Sequence, residues 1–228
     1  MAKKKQSKQT KQDENLENVQ EALSASGQWI EKNQNVIEWC LLIVLLVVCG
    51  FIALNTYVWK PKAAVAQDET AKAVVYFSQS QWEQALNGDD NECLGFAEIA
   101  DKYNHYQAGK LAALYAGICN YKLGNYEDAA AYLKKFDADD LNIDPAAHVL
   151  LGDAYVQIDE LDKAEKAYRH AIESENELIA PLALKKLGIV YLEQDKKKDA
   201  KRVFESIRDD YSQSAEAQDI DKYIANVE

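Results

Sequence analysis

Glycine and proline are scarce in this sequence, 9 and 3 among 228 residues. That scarcity disfavours an all-β fold with many tight turns and suits long helices. Cysteine is sparse too. Cys40, Cys49, Cys93 and Cys119 show no Cys-x-x-Cys pair and no cysteine–histidine ligand spacing, so neither a zinc site nor a disulfide scaffold is indicated. Catalytic signatures are missing: there is no Gly-x-Ser-x-Gly, P-loop, His-Glu-x-x-His or Gly-x-Gly-x-x-Gly. With no grouping of nucleophile, base and oxyanion donors in view, the chain reads as a non-enzyme that needs no cofactor.

Histidine is almost absent as well. His105, His148 and His170 are read as isolated surface or half-buried side chains, and no metal site is expected. Asp137-Ala-Asp139-Asp140-Leu-Asn142-Ile-Asp144 has the acidity of a calcium loop but not its sixth-position glycine or terminal glutamate. It reads as an acidic connection.

Positive charge is in deficit, with 26 Lys/Arg against 38 Asp/Glu and a net charge of −12. The deficit lies after Lys62, where 18 Lys/Arg face 32 Asp/Glu; up to Lys62 there are 8 and 6. So acidic a domain repels phosphate backbones, and no nucleic-acid partner is expected.

One long apolar run stands out. Trp39 to Leu54 carries no charged side chain, and the stretch Ile37–Trp59 has 23 residues. As a helix it would be roughly 34 Å long, enough to cross a hydrocarbon core of about 30 Å. Trp39 at one end, with Tyr57 and Trp59 at the other, supplies the aromatic belts of two interfaces. The run starts too deep in the chain and is too long for a cleaved signal peptide. A transmembrane helix is therefore expected over residues 36–60, in contact with membrane lipid. Ahead of it, residues 1–35 form a charged tail, disordered at first, in which Leu16, Val19, Gln20 and Leu23 suggest a short amphipathic helix. Lys3, Lys4, Lys5, Lys8, Lys11 and Lys32 bias the tail toward the cytoplasm, which in a bacterium puts the rest in the periplasm.

Beyond the run, the chain repeats itself. With Lys110, Pro145 and Pro181 counted as first positions, Gly117, Gly152 and Gly188 fall at position 8, in steps of 35 and 36 residues. Ala129, Ala164 and Ala200 share position 20, and Leu133, Tyr168 and Phe204 share position 24. This pattern resembles the tetratricopeptide-repeat (TPR) family, whose unit of about 34 residues has small residues at positions 8 and 20 and aromatics at 11 and 24. Two departures are visible: position 11 of the first unit is Asn120, with Tyr121 beside it, and position 17 of the third is Lys197. Upstream, Tyr76, Trp82 and Ala85 match positions 11, 17 and 20 of a degenerate unit interrupted at Asn87-Gly88-Asp89-Asp90, with a helix resuming over 92–103. The expected fold is all-α: one transmembrane helix, an irregular capping repeat over 61–104, three repeat hairpins over 105–210, and a capping helix over 211–228.

The resemblance also implies a binding face. In TPR solenoids the first helix of each unit lines a concave groove. The matching residues here are Leu111, Leu114, Ile118, Tyr121 and Lys122 in the first unit, and Ala146, Val149, Asp153, Val156 and Gln157 in the second. The third contributes Leu182, Lys185, Ile189, Leu192 and Glu193. Many are apolar and suit an amphipathic helix or an extended peptide. Equally, the terminal helix or the irregular first unit can fill that groove. Leu114 and Ile118 replace the Lys and Asn of the carboxylate clamp found in chaperone-binding TPRs, which disfavours that mode. Cys93 and Cys119 come within reach of pairing if the irregular unit stacks on the first repeat in an oxidising space. The layout of short tail, single anchor and repeat domain is similar to the YfgM-type family, which implies an ancillary role at the bacterial Sec translocon, with translocon components and exported or chaperone proteins as partners. An adaptor in another envelope-assembly or division complex, or a cytoplasm-facing adaptor in the reverse topology, fits the same residues.

Overall fold

The protein is described by a computed structural model covering residues 29, 32–89, 93–137, 140–174 and 176–227. The tail expected to be disordered and the amphipathic helix expected near Leu16–Leu23 lie outside these residues. Contacts divide the chain into two units, one up to Pro61 and one from Lys62 onward.

The first unit is dominated by helix α1, Gln34–Leu54, none of whose residues is buried. It is long and apolar enough to cross a bilayer. Residues Asn55–Trp59 follow as a single π turn, in which the Lys60 amide donates to the carbonyl of Asn55, five residues back. Pro61, the second residue of helix α2 (Lys60–Ser78), accounts for it. Proline brings no N–H and crowds the carbonyl four residues earlier, and a π turn relieves both.

The second unit begins within α2 and continues through α3 (Trp82–Asn87) and a two-residue antiparallel pair, β1 (Gly88–Asp89) with β2 (Cys93–Leu94). Then come α4 (Phe96–Lys102), α5 (Gln107–Leu123), α6 (Tyr126–Leu133), α7 (Ile143–Gln157), α8 (Leu161–Glu173), α9 (Ala180–Glu193) and α10 (Lys197–Asp210). A 3-10 turn, Glu216–Asp219, leads into α11, Ile220–Ala225.

Pairs α5–α6, α7–α8 and α9–α10 are helical hairpins, and each is closed by the same turn. Gly124, Asp159 and Asp195 are left-handed, with φ of 83°, 60° and 57°. In each turn the next amide returns to the carbonyl five residues back: Asn125 to Asn120, Glu160 to Tyr155, Lys196 to Tyr191. The left-handed residue itself donates three residues back, to Tyr121, Val156 and Leu192. This pair of bonds is the Schellman motif, which satisfies the last carbonyls of the first helix. Ser80, with φ of 59°, does the same between α2 and α3, where Gln81 returns to Tyr76 and Ser80 to Phe77. The segment upstream of the three hairpins therefore turns in the manner of a fourth.

What lets the two helices of a hairpin touch is the missing side chain at position 8. A Cβ on Gly152 would lie 2.4 Å from the Tyr168 ring, and one on Gly188 would lie 2.2 Å from the Phe204 ring. On Gly117 it would meet Cγ of Leu133 at 2.6 Å. Tyr168 and Phe204 are consequently among the largest fully buried side chains. Burial of each contributes about 2–3 kcal/mol. The second helices present apolar residues at helical spacing (Leu161, Ala164, Ala167, Tyr168 and Ala171 in α8) and leave their charges outward.

Three apolar clusters run along the array: one around Phe96 and Ile99, one around Leu133 and Leu151, and one around Leu187 and Phe204. The first seals α2–α4 onto α5 through rings. Phe77 meets Trp82, Phe96 and Tyr115 edge-on at 5.2, 6.1 and 4.8 Å, and Phe96 stacks on Tyr115 at 4.9 Å.

Two expectations are corrected. The helix expected over 92–103 begins only at Phe96, because Cys93 and Leu94 pair with Gly88 and Asp89 instead. Gly88, with φ of 83°, lets the chain turn away from α3. The terminal cap is not one helix over 211–228. It is a 3-10 turn followed by six residues of α-helix, since Ser214 Oγ accepts the Ala217 amide in a local bond that competes with helix. Cys93 and Cys119 are free thiols. Cys119 is buried, and that burial pushes its thiol up to about 12.

These contacts predict an order of costs. Gly152→Ala and Gly188→Ala each lose about 2 kcal/mol because a stiff ring must move. Gly117→Ala loses less because Leu133 can change rotamer. Urea unfolding followed by circular dichroism reads the order; equal losses at all three positions would contradict it.

Candidate protein-binding face

The residues expected to line a groove do not all meet. Tyr121, Asp153, Val156, Gln157, Ile189 and Glu193 border one pocket of about 200 Å³ on the first helices of the three hairpins, α5, α7 and α9. Leu111 borders a separate and larger cleft of about 1050 Å³. Lys122 is exposed and Ala146 faces solvent. The others are turned elsewhere. Leu114 (8% exposed) and Val149 (6%) belong to the core, so neither is presented to a ligand. Leu114 packs into the middle cluster, and Val149, on α7, into the last one. Ile118 packs against the middle cluster, and Leu182 and Leu192 against the last one. Lys185 is drawn off by the C-terminal segment: its Nζ lies 2.6 Å from Asp219 and 5.0 Å from the Tyr223 ring centroid. The cap thus covers the third hairpin's end of this face and leaves the middle open.

Three lining residues were not expected: Tyr168, Lys186 and Val190. Lys186 Nζ sits 2.8 and 3.0 Å from the two carboxylate oxygens of Asp153, and Tyr168 Oη donates to the same carboxylate at 2.7 Å. Burial, with Asp153 beside it, pushes the Tyr168 phenol far above its ordinary value, so it stays a neutral donor. Asp153 is therefore paired, and the pocket offers a fixed ion pair rather than a free base. Tyr168 reaches the pocket because it crosses Gly152, and Lys186 precedes Gly188 by two positions. Both were legible from the register, but only by following residues across hairpins.

The larger cleft lies between α2 and the start of α5. Ala63, Gln67, Ala71 and Val74 line it from α2, opposite Tyr106 and Tyr115. The adjoining stripe of α2 (Ala66, Thr70 and Ala73) is buried. Spacing of three and four residues identifies both stripes.

Neighbouring hairpins are tied by charge near this face. Glu165 on α8 accepts from Arg169 Nε at 3.0 Å, from Tyr191 Oη at 2.9 Å and from Lys196 Nζ at 3.3 Å. Burial pushes the Glu165 carboxyl up, but those three donors outweigh it and hold it below the ordinary value. Asn176 does the same with neutral groups. Its Nδ2 donates to Leu141 and Asn142, and its Oδ1 accepts the amides of Leu178 and Ile179.

Tetratricopeptide repeat family models match residues 111–139, 145–177 and 183–214, the three hairpins just described. The chain carries tetratricopeptide repeats. TPR arrays are protein–protein interaction scaffolds. Two crystal structures of MamA share the fold. One has a TM-score of 0.56 at 20% identity, over 72% of this chain and 80% of that one; the other has 0.51 at 20% identity, over 68% and 91%. No curated protein matches the chain.

The Glu165 tie makes stability depend on acid. Because the folded carboxyl titrates below the unfolded one, its contribution is present above about pH 4.3 and is lost as pH falls through the folded value. Glu165→Gln should cost about 1 kcal/mol at pH 7. That difference should shrink as pH falls below about 4.3 in thermal unfolding series, and a difference independent of pH would contradict the assignment.

Proposed function

We propose that this protein is a membrane-anchored TPR scaffold of the bacterial inner membrane, with its tail in the cytoplasm and its repeat domain in the periplasm, and that it binds proteins at the Sec translocon. The observation that carries the anchor is α1, a 21-residue helix without a buried residue and with Trp39 67% exposed. A soluble surface rarely leaves so large an apolar area in water. The six lysines of the tail support its cytoplasmic placement. The partner class follows from the face on α5, α7 and α9, where Tyr121, Val156 and Ile189 flank a neutralised ion pair. Such a surface suits an amphipathic segment with one polar edge, which is what an emerging exported chain or a translocon subunit presents. Assignment to the translocon extends the likeness in layout to the YfgM-type family.

Two measurements test the proposal. Alkaline carbonate washing of vesicles should leave the intact protein in the membrane pellet; release into the supernatant would remove the anchor. A photo-crosslinking residue at Gln157, on the rim of the pocket, should capture translocon subunits or translocating chains in intact cells. Tyr121→Glu with Ile189→Glu should reduce that capture by roughly tenfold, the equivalent of about 1.4 kcal/mol. Capture unchanged in a variant that still folds would contradict the face.

A further inference from the structure

The three hairpins leave one chemical grouping that protein binding does not use. His148 on α7 and His170 on α8 lie ring over ring, with centroids 3.8 Å apart and planes 12° from parallel. Asp144, one turn before His148, reaches both: its Oδ2 is 3.6 Å from His148 Nδ1 and 3.8 Å from His170 Nδ1. One ligand atom from each of the three falls within 4.8 Å of the others. Taken one at a time the histidines seemed isolated; that reading passed over Asp144, four residues before His148, and the adjacency of α7 and α8.

We infer that Asp144, His148 and His170 bind one divalent transition-metal ion of the zinc class. Two imidazoles and a carboxylate suit zinc, copper or nickel and disfavour magnesium and calcium, which prefer oxygen-only shells. Tetrahedral zinc, with bonds of about 2.0–2.2 Å, separates its ligand atoms by about 3.3 Å. The two nitrogen-to-oxygen distances here already approach that value, so closure needs only side-chain rotation. Parallel rings cannot both aim their in-plane lone pairs at one ion, so one ring must leave the stack. His170 is the one free to do so, being 54% exposed against 23% for His148. His148 Nδ1 also lies 3.0 Å from the Asp144 carbonyl, a hydrogen bond that ligation through this nitrogen replaces. A cavity of about 220 Å³ adjoins the cluster and is lined by Asp140, Asp144, His170 and Glu173, leaving room for a water or a fourth carboxylate ligand. The bound ion joins the first helix of the middle hairpin to the second and stiffens the centre of the array, where a local gain passes to both neighbours.

The test uses the full chain, purified in detergent without a polyhistidine tag and stripped with chelator. Titration with zinc chloride in a calorimeter should give one saturable site with a Kd of about 10 µM or tighter. Magnesium chloride should give none, and Cys93→Ser should behave as the parent. His148→Gln and His170→Gln should each weaken binding at least ~100-fold, a loss of about 2.7 kcal/mol. Zinc should raise the Tm of the parent by several degrees but not that of the double variant. In case a variant fails to fold, ring resonances of the parent provide a second reading: those of His148 and His170 should shift on adding zinc while those of His105 stay fixed. Unchanged affinity in the folded double variant, or no selective shift, would overturn the site.

Discussion

The structure depends on one contact made three times, the seating of a large side chain on the second helix of a hairpin against a residue with no side chain on the first. Gly117 receives Leu133, Gly152 receives Tyr168 and Gly188 receives Phe204. A hairpin so closed is thin and apolar on both sides. It cannot bury those sides alone, so it stacks, and stacking fixes which residues of α5, α7 and α9 remain for a partner. Tyr168 shows the coupling most directly. The ring that fills the space over Gly152 carries the hydroxyl that binds Asp153 at the floor of the pocket. Packing and the candidate face share a side chain.

Much of the fold was legible because the packing positions recur. Steps of 35 and 36 residues at positions 8 and 20 identified the hairpins, and the pairing of small with large residues identified their inner sides. The turns were less legible. Gly124 announces a left-handed residue, but Ser80, Asp159 and Asp195 take the same conformation without glycine, held there by the two returning hydrogen bonds. Asn120, the exception at position 11, is buried and keeps the turn by donating to Ala116 and accepting from Asn125. The β1–β2 pair and the broken terminal cap arise from local polar bonds and have no periodic signal.

The candidate face was about half legible. Position numbers carried over from a repeat family place a residue on a helix but do not say how tightly neighbouring hairpins close over it. Leu114 and Val149 were expected in the groove and lie in the core, while Lys185 is held by Asp219 of the cap. Lys186 and Tyr168 enter the pocket from a neighbouring hairpin and from a second helix, relations that one unit read alone does not contain. The Asp144–His148–His170 cluster was missed for the same reason, since it needs an adjacency between helices as well as a spacing within one.

Hydrogen exchange, followed by mass spectrometry on the full chain in detergent, examines the stacked hairpins most directly. Interior hairpins are covered on both sides and terminal ones on a single side, so amides of α7 and α8 should exchange slowest, and protection should fall off toward α2 and α11. Exchange of α7 and α8 as fast as that of the segment 211–215 would contradict an array closed by the glycine-to-ring contacts.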